Sequence, residues 1–209
     1  MPYINVGTEN SGTIDLYYED HGSGRPVVLI HGYPLSGRAW DKQVPVLLEH
    51  GRRVITYDRR GFGKSSQPTA GYDYDTFAND LHTLLETLDL RDVTLVGHSM
   101  GTGEVTRYLG RFGSARVARG VLISPIPPFL LQTPDNPEGL PASLFEGFMQ
   151  TARQDAPAWM KGFLDNFYNI EKFRGTLVSD QTVVIAGGPH AIAWTHADQV
   201  NNALLKFMA

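Results

Sequence analysis

Apolar positions in the first 124 residues fall into two kinds of pattern. Residues 13–19 alternate apolar and polar side chains, which is typical of a half-buried strand. Residues 26–30, 53–57, 93–96 and 120–124 are instead short, almost continuous apolar runs that are rich in β-branched side chains. Such runs predict parallel strands that are covered on both faces.

Between these runs, apolar residues recur at helical spacing. The first such segment begins at Ser36, a good N-cap, and extends to about residue 49, with Gly51 just after it. Further helices are predicted over residues 73–90, 100–112 and 191–208. Strands and helices therefore alternate, which predicts an α/β fold with a mostly parallel, doubly wound sheet and helices on both faces.

Residues 125–174 break this alternation and predict a small helical lid inserted into an α/β core of residues 1–124 and 175–209. Prolines divide the first part of this segment into short pieces. Two later stretches have helically spaced apolar side chains, which either pack onto the core or line a pocket for an acyl group. These side chains are Leu144, Phe145, Phe148, Met149, Trp159, Met160, Phe163, Leu164, Phe167 and Tyr168.

Composition narrows the function classes. With 209 residues, 42% of them hydrophobic, the chain can bury one substantial core but barely divides into two domains. A net charge of −4 provides no basic stripe for nucleic acid. No run reaches the roughly 20 apolar residues that cross a bilayer, and the N-terminus is unlike a signal peptide, so we expect a cytoplasmic protein without a membrane partner. The absence of cysteine excludes disulfides, thiolate metal sites and a cysteine nucleophile.

The strongest chemical signal is the Gly-His-Ser-Met-Gly motif at residues 97–101, between a predicted strand and a predicted helix. This G-x-S-x-G pattern forms a nucleophile elbow when it occupies a sharp strand-to-helix turn. Glycines suit both ends of the motif because a β-carbon there would collide with a neighbouring backbone. The motif predicts a serine hydrolase with Ser99 as the nucleophile.

Two further loops follow predicted strands. Residues 31–34 (His-Gly-Tyr-Pro) form either a plain turn or the source of an oxyanion-binding N–H, that of Tyr33, which would act together with the N–H of Met100. The presence of the elbow favours the second interpretation. Residues 58–65 lack the spacing of a phosphate-binding loop and predict a structural turn that is held by hydrogen bonds of Asp58 and Ser65.

Together these motifs resemble the α/β-hydrolase superfamily and, in detail, its cofactor-free bacterial haloperoxidase/esterase (perhydrolase) branch. The resemblance is carried by His31 and Gly32, by the turn at residues 58–63 and by residues 97–103, in that order. It implies a hydrolase of small-molecule esters with a Ser-His-acid triad. It also implies that hydrogen peroxide can replace water on the acyl-enzyme, giving a peracid that oxidises halide, and that neither haem nor metal serves as a cofactor.

His190 is the predicted general base. Residues 182–186 predict the last strand, and His190 follows in a Gly-Gly-Pro-His loop at its carboxyl end, the edge of the sheet that also holds Ser99. The resemblance implies a base at the same position. The other histidines occupy predicted surface positions or the turn after residue 30, and by strand alternation His98 should point away from the side of the serine.

The sequence departs from the family at the third residue of the triad. The resemblance implies a further strand before the last one, ending in a Gly-x-x-Asp-like loop, and nothing in this sequence matches it. Asp180 precedes the predicted last strand and should lie at the opposite end of the sheet. Asp135 and Glu138 are weak candidates, since other branches of the superfamily recruit their acid from this loop, but neighbouring prolines favour a lid.

A missing acid has consequences for both activity and fold. In serine proteases, an imidazole without its carboxylate loses a factor on the order of 10⁴ in turnover, so weak activity is one expectation. The sheet also lacks a strand, which leaves three arrangements open: pairing of the last strand beside residues 121–124, a gap, or domain exchange within a homo-oligomer. Alternatively, the natural molecule has a segment that this sequence lacks.

Two functions outside the esterase class also stay open. The first is a catalytically silent, ligand-binding protein that holds a small apolar molecule in the same pocket, which the missing acid favours. The second is a truncated or engineered scaffold, which an abrupt join at residues 176–181 would indicate. The elbow and the predicted base together favour the serine esterase.

Overall fold

A computed structural model of the chain describes residues 2–126, 129–167 and 190–209. Within these ranges the strands are Tyr3–Glu9 (β1), Gly12–His21 (β2), Arg25–Ile30 (β3), Arg52–Tyr57 (β4), Val93–His98 (β5) and Val117–Ile123 (β6). The helices are Val44–Glu49 (α1), Tyr74–Thr87 (α2), Met100–Phe112 (α3), Ala142–Gln154 (α4), Ala156–Phe167 (α5), Ile192–Thr195 (α6) and Ala197–Met208 (α7), with a 3₁₀ turn at Gly37–Trp40.

The described strands form one sheet in the order β1-β2-β4-β3-β5-β6. Strand β2 is antiparallel to both β1 and β4, whereas β4, β3, β5 and β6 run parallel to one another. Since β3 and β5 are adjacent and parallel, the loop after β3 and the turn after β5 meet at one edge of the sheet. The predicted α/β-hydrolase fold class is confirmed.

Helices cover both faces of this sheet. One apolar core lies under α2 and α3, and a second lies under the 3₁₀ turn, α1 and α7. Successive residues of β3 contribute to opposite cores, with Val28 and Ile30 in the first and Val27 and Leu29 in the second. Burial on both faces explains why the central strands have continuous apolar runs instead of alternating patterns.

The helix predicted over residues 36–49 is wrong in one respect, because the structure divides it. Ser36 acts as an N-cap, its hydroxyl accepting a hydrogen bond from the N–H of Arg38, but it begins only the 3₁₀ turn. Helix α1 starts separately, with Pro45 in its first turn. Proline lacks the N–H that a continuous helix would donate to the carbonyl of residue 41, and it is favoured at a helix start.

The C-terminal helix predicted over residues 191–208 is also divided, into α6 and α7. Two side chains from the segment before α1 donate to carbonyl oxygens of α6, Gln43 to that of Ala193 and Lys42 to that of Trp194. A continuous helix would use these carbonyls as acceptors for its own N–H groups. The break therefore accompanies the docking of α6 onto the body of the protein.

Strand β1 was not predicted from the sequence. Its alternation is interrupted at Gly7, where φ is 155° and the register with β2 shifts by one residue after Asn5. A glycine at such a bulge has no side chain to continue the pattern.

Helices α4 and α5 confirm the helical character of the segment predicted as a lid. The predicted last strand at residues 182–186, the acidic residue Asp180 and the predicted boundary at residue 174 lie outside the described residues. Division of the chain into core and lid therefore stays a prediction. None of the helices within the described ranges has the length and apolar character needed to traverse a bilayer.

Candidate active site

Ser99 lies at the sharp turn between β5 and α3. Its φ of 52° and ψ of −118° fall outside the regions that non-glycine residues favour. A β-carbon on Gly97 would lie 2.5 Å from the carbonyl oxygen of Gly101, and one on Gly101 would lie 2.4 Å from that of Ile30. These two glycines allow the close backbone contacts that hold Ser99 in its strained conformation.

The structure brings Ser99 and His190 together, with 2.5 Å between the serine Oγ and the imidazole Nε2. If the hydroxyl donates in this hydrogen bond, the neutral ring carries its proton on Nδ1. Burial lowers the pKa of His190, which favours the neutral ring at pH 7. A serine hydroxyl held against a neutral imidazole is the arrangement required of a nucleophile and its general base.

Within residues 2–126, 129–167 and 190–209, no carboxylate forms a hydrogen bond or an ion pair with His190. The weak candidates Asp135 and Glu138 are both exposed. They lie in an excursion that is closed by bridge pairs between Leu131 and Leu140 and between Thr133 and Asn136. The acid of the implied triad is therefore not identified in the described part of the chain.

The backbone after β3 packs directly against the elbow, since a β-carbon on Gly32 would lie 2.8 Å from the Cβ of Ser99. The N–H of Tyr33, the next residue, forms no hydrogen bond with any described residue. The N–H of Met100 is the first of α3, and the first N–H groups of a helix have no intrahelical acceptor. The geometry thus leaves both predicted oxyanion donors free at the site.

A buried polar network connects this loop to α3. The guanidinium of Arg59 donates to the carbonyl oxygen of His31 over 3.1 Å and forms an ion pair of 2.7 Å with Glu104 of α3. The backbone N–H of Arg59 also donates to Nε2 of His31, whose Nδ1 donates to the carbonyl oxygen of Gly32. The carbonyl of Gly32 and the N–H of Tyr33 belong to one planar peptide and point in opposite directions. Fixing the carbonyl oxygen of Gly32 therefore also orients the N–H of Tyr33.

The electrostatics of this network are consistent with its hydrogen bonds. Burial, assisted by the positive charge of Arg59, lowers the pKa of His31 to about 3, so the ring is neutral and can accept from one nitrogen while donating from the other. Burial raises the pKa of the Glu104 carboxyl, and the ion pair with Arg59 opposes this effect. The hydroxyl of Tyr57 donates to the same carboxyl group.

The prediction of a structural turn at residues 58–65 is confirmed. The carboxylate of Asp58 accepts hydrogen bonds from the backbone N–H groups of Gly37 and Lys64, and the hydroxyl of Ser65 donates to the carbonyl of Asp58. The contact of Arg59, in the same turn, with the loop after β3 was not predicted from the sequence. A buried arginine partner is not visible from a local pattern, because Glu104 lies 45 residues further along the chain.

His98 was also missed. Strand alternation does separate its side chain from that of Ser99, but the chain at His190 passes on the side of His98. The Nε2 of His98 lies 2.7 Å from the carbonyl oxygen of His190. The two imidazole rings are 5.3 Å apart between centroids. No sequence signal identifies this contact, which joins residues 92 positions apart.

One face of α5 lies over the site. The rings of Phe163 and Phe167, four residues apart, have centroids 5.6 Å from each other. Phe163 also contacts the ring of Tyr33 at 5.6 Å, and Phe167 contacts the imidazole of His190 at 4.9 Å. This row of rings extends from the loop after β3 to the imidazole, so it forms an apolar wall of the site.

A cavity of about 490 Å³ lies between the α2–α3 side of the body and α4. Its largely apolar lining includes Tyr74, Gly103, Phe129, Phe145 and Met149. Gly103 follows Ser99 by about one helical turn, but neither Ser99 nor His190 is among the residues that line this cavity. In the part of the chain that the structure describes, no group of three or more histidine or carboxylate side chains is arranged to hold a metal ion.

Comparison with known proteins places this architecture in a family. Residues 25–182 match the model of the alpha/beta hydrolase fold. A protein from Synechocystis sp. that is named provisionally as a non-heme chloroperoxidase is similar to this chain. The two are 46% identical over an alignment of 275 residues, which covers 100% of both chains. The crystal structure of a bromoperoxidase from Bacillus anthracis superposes with a TM-score of 0.88 and 37% identity, covering 99% of this chain and 98% of the other.

A bifunctional esterase/perhydrolase from Acinetobacter calcoaceticus is 42% identical over 135 residues, which are 64% of this chain and 49% of that protein. Against this and other curated relatives the chain spans only about half of their length. The alignment with the Synechocystis protein is longer than the 209 residues of this chain, so that relative carries residues without a counterpart here. This chain belongs to the α/β-hydrolase fold family and, within it, to the group of the non-heme haloperoxidases.

Proposed function

We propose that the protein is a serine hydrolase of small carboxylic esters that works through an acyl-enzyme. The contact between the Ser99 hydroxyl and the Nε2 of His190 carries this proposal. Support also comes from the strained elbow, from the two free N–H groups of Tyr33 and Met100 and from relatives named as an esterase and as haloperoxidases.

The reaction begins when Ser99 Oγ attacks the ester carbonyl while its proton moves to Nε2 of His190. The negative charge that develops on the carbonyl oxygen is stabilised by the N–H groups of Tyr33 and Met100. His190 then gives its proton to the departing alcohol, which leaves Ser99 acylated. Water attacks the acyl carbonyl in the second half, transfers a proton to His190 and releases the carboxylic acid, while the serine oxygen recovers its proton.

Hydrogen peroxide can take the place of water in the second half of this cycle. Its attack on the acyl-enzyme releases a peracid, and the same proton transfers through His190 restore the serine. No metal or haem takes part in either branch of the proposal. The acyl group occupies the apolar cavity beside Gly103, which favours small or medium apolar acids.

Pre-steady-state hydrolysis of p-nitrophenyl acetate tests the proposal. We expect a burst of p-nitrophenol equal to the enzyme concentration, followed by slower turnover, since acylation precedes deacylation. Ser99→Ala should abolish the burst and His190→Ala should slow it strongly. The matched controls are Ser114→Ala and His21→Ala, which alter exposed residues and should retain the burst.

A catalytically silent, ligand-binding function is the second candidate. The specific observation in its favour is that no carboxylate among the described residues supports the imidazole of His190. This alternative predicts that a fluorophosphonate probe does not label the folded protein. Labelling that is lost in Ser99→Ala would exclude it.

A further inference from the structure

The backbone of His190, and not only its side chain, is held by hydrogen bonds. Its carbonyl oxygen lies 2.7 Å from Nε2 of His98 and 3.2 Å from the hydroxyl of Ser124, so it accepts two hydrogen bonds. One donor comes from the last residue of β5 and the other from the residue after β6. Both donors thus belong to the rigid edge of the parallel sheet.

A carbonyl oxygen can only accept, so Nε2 of His98 must carry the proton. Burial lowers the pKa of His98 to about 4, which keeps the ring neutral near pH 7 and leaves its single proton for this bond. The ring is also confined by Trp40, whose ring centroid is 6.3 Å away, and by Phe167, at 6.1 Å. His98 is therefore a fixed donor and not a second base, and its own Nε2 is occupied.

The chain that follows His190 is fixed as well. Ala191 is buried, and the carbonyl oxygens of Ala193 and Trp194 in α6 accept hydrogen bonds from Gln43 and Lys42. The main chain of His190 is therefore hydrogen-bonded to the body of the protein at its own carbonyl oxygen and in the helix that follows. Its ring then needs only the edge contact with Phe167 to remain directed at Ser99.

We propose that His98 is a positioning residue that holds the base His190 through its backbone carbonyl oxygen, with Ser124 as the second donor to the same atom. This arrangement orients the imidazole from its main chain, whereas a triad acid orients it from Nδ1. The inference rests on the proposed function, since it assigns a role relative to the base of that reaction. The residue before the nucleophile therefore acts on the base and not on the serine.

The experiment compares His98→Leu, which removes the donor, with His98→Gln, whose amide nitrogen reaches about as far as Nε2. In p-nitrophenyl acetate hydrolysis we expect His98→Leu to lower kcat about tenfold with little change in KM. A misplacement of ~1 Å costs about a hundredfold, and the displacement should be smaller here because Ser124 still donates to the same oxygen. His98→Gln should restore most of the loss. His82→Leu, which removes a half-buried histidine from α2, is the matched control and should leave kcat unchanged.

A double-variant cycle separates positioning from general destabilisation. In a His190→Ala background there is no imidazole to orient, so adding His98→Leu should cause no further loss of activity. A further loss in that background, or equal losses in His98→Leu and His98→Gln, would overturn the inference. If His98→Leu does not fold, Ser124→Ala tests the same oxygen, with a severalfold loss of kcat expected and an unchanged kcat contradicting the role.

These outcomes are distinct from failure of the proposed function. If Ser99→Ala and His190→Ala both retain full activity, the hydrolase mechanism is wrong and the positioning role falls with it. If both variants are inactive while His98→Leu and Ser124→Ala match the wild type, only the positioning role is wrong.

Discussion

The two halves of the candidate site are held by different interactions. The nucleophile half, made of Ser99 and the loop at residues 31–34, is fixed by glycine-sized backbone contacts and by the buried pair of Arg59 and Glu104. The base half, made of His190 and its surroundings, depends on two hydrogen bonds to one carbonyl oxygen and on aromatic contacts. The loop that carries the proposed oxyanion donor thus has many supports, whereas the imidazole has few among the described residues.

From this contrast we expect two kinds of substitution, one that lowers both the stability of the fold and the activity, and one that lowers mainly the activity. In the nucleophile half, a change should cost both stability and catalysis, since the same network contributes to the core. In the base half, a change should reduce catalysis with a smaller effect on folding. Substitutions in each half test this distinction.

Breaking the buried ion pair should be the most disruptive change. Arg59→Met leaves the carboxylate of Glu104 buried without its partner, which should lower the free energy of unfolding by about 3–5 kcal/mol. Arg60→Met is a matched control because Arg60 forms a similarly buried, bidentate pair with Asp80. Urea unfolding should show comparable losses for both variants.

Activity per folded molecule should then separate these two variants. Arg60 forms no hydrogen bond with the loop at residues 31–34 in the described part of the chain, so Arg60→Met should retain most of its kcat. Arg59→Met should lose at least about tenfold, because the carbonyl oxygen of His31 loses its side-chain donor and the loop that carries the N–H of Tyr33 is held less firmly. Equal activities would show that the network stabilises the fold without positioning the oxyanion donors.

A methyl group at the elbow should have the next largest effect. In Gly101→Ala the new Cβ would lie 2.4 Å from the carbonyl oxygen of Ile30, so the elbow and β3 must separate. We expect a loss of about 1–3 kcal/mol in stability and a clear fall in kcat. Gly110→Ala in the same helix meets nothing within 4 Å and should stabilise by up to about 1 kcal/mol. Thermal unfolding would contradict this account if the two variants behaved alike.

The pH profile should report the surroundings of the base. Burial lowers the pKa of His190 below its ordinary value of 6.5. Because the reaction requires the neutral imidazole, a lowered pKa keeps the enzyme active at more acidic pH, and kcat/KM should rise with a midpoint below 6.5. A carboxylate at Nδ1 would favour the charged ring and raise this midpoint. A measured midpoint above 6.5 would therefore indicate that an acid supports His190.

The smallest effect is expected for the two weak acid candidates. Asp135 and Glu138 are exposed and form no bond with His190, so Asp135→Asn and Glu138→Gln should alter stability by no more than about 0.5 kcal/mol. Steady-state kinetics should give kcat values close to that of the wild type. A fall of a hundredfold or more in either variant would identify that residue as the missing member of the triad.

Much of the fold was predictable because it depends on local pattern. The apolar runs of β3 to β5 and the amphipathic faces of α2 and α3 are direct consequences of burial on one or both sides. The run in β6 was also predicted to be covered on both faces, but among the described residues this strand is only partly buried and its Leu122 is 41% exposed. The divided helices were not predictable in this way. Within the first of them, Pro45 is a local signal for a helix break. The break between α6 and α7 instead coincides with hydrogen bonds from Lys42 and Gln43, about 150 residues away.

The site shows the same limit. Ser99 and its glycines are contiguous, so the elbow was visible as a motif, and His190 was predicted as the base from its place after a predicted strand that lies outside the described residues. His98, Arg59 and Glu104 have buried polar partners that are remote in sequence, and no periodicity identifies such pairs. The acid was expected from family resemblance and is not found among the described residues, which agrees with a relative that is longer than this chain.

Mass spectrometry of a quenched reaction with p-nitrophenyl acetate can identify the residue that is acylated. We expect that acid quenching during the burst traps one acetyl group per chain and that fragmentation locates it on Ser99. Ser99→Ala should carry no such group, while Ser114→Ala should be acetylated like the wild type. A chain that turns over the ester without an adduct, or with the acetyl group on another residue, would contradict the assignment of Ser99 as the nucleophile.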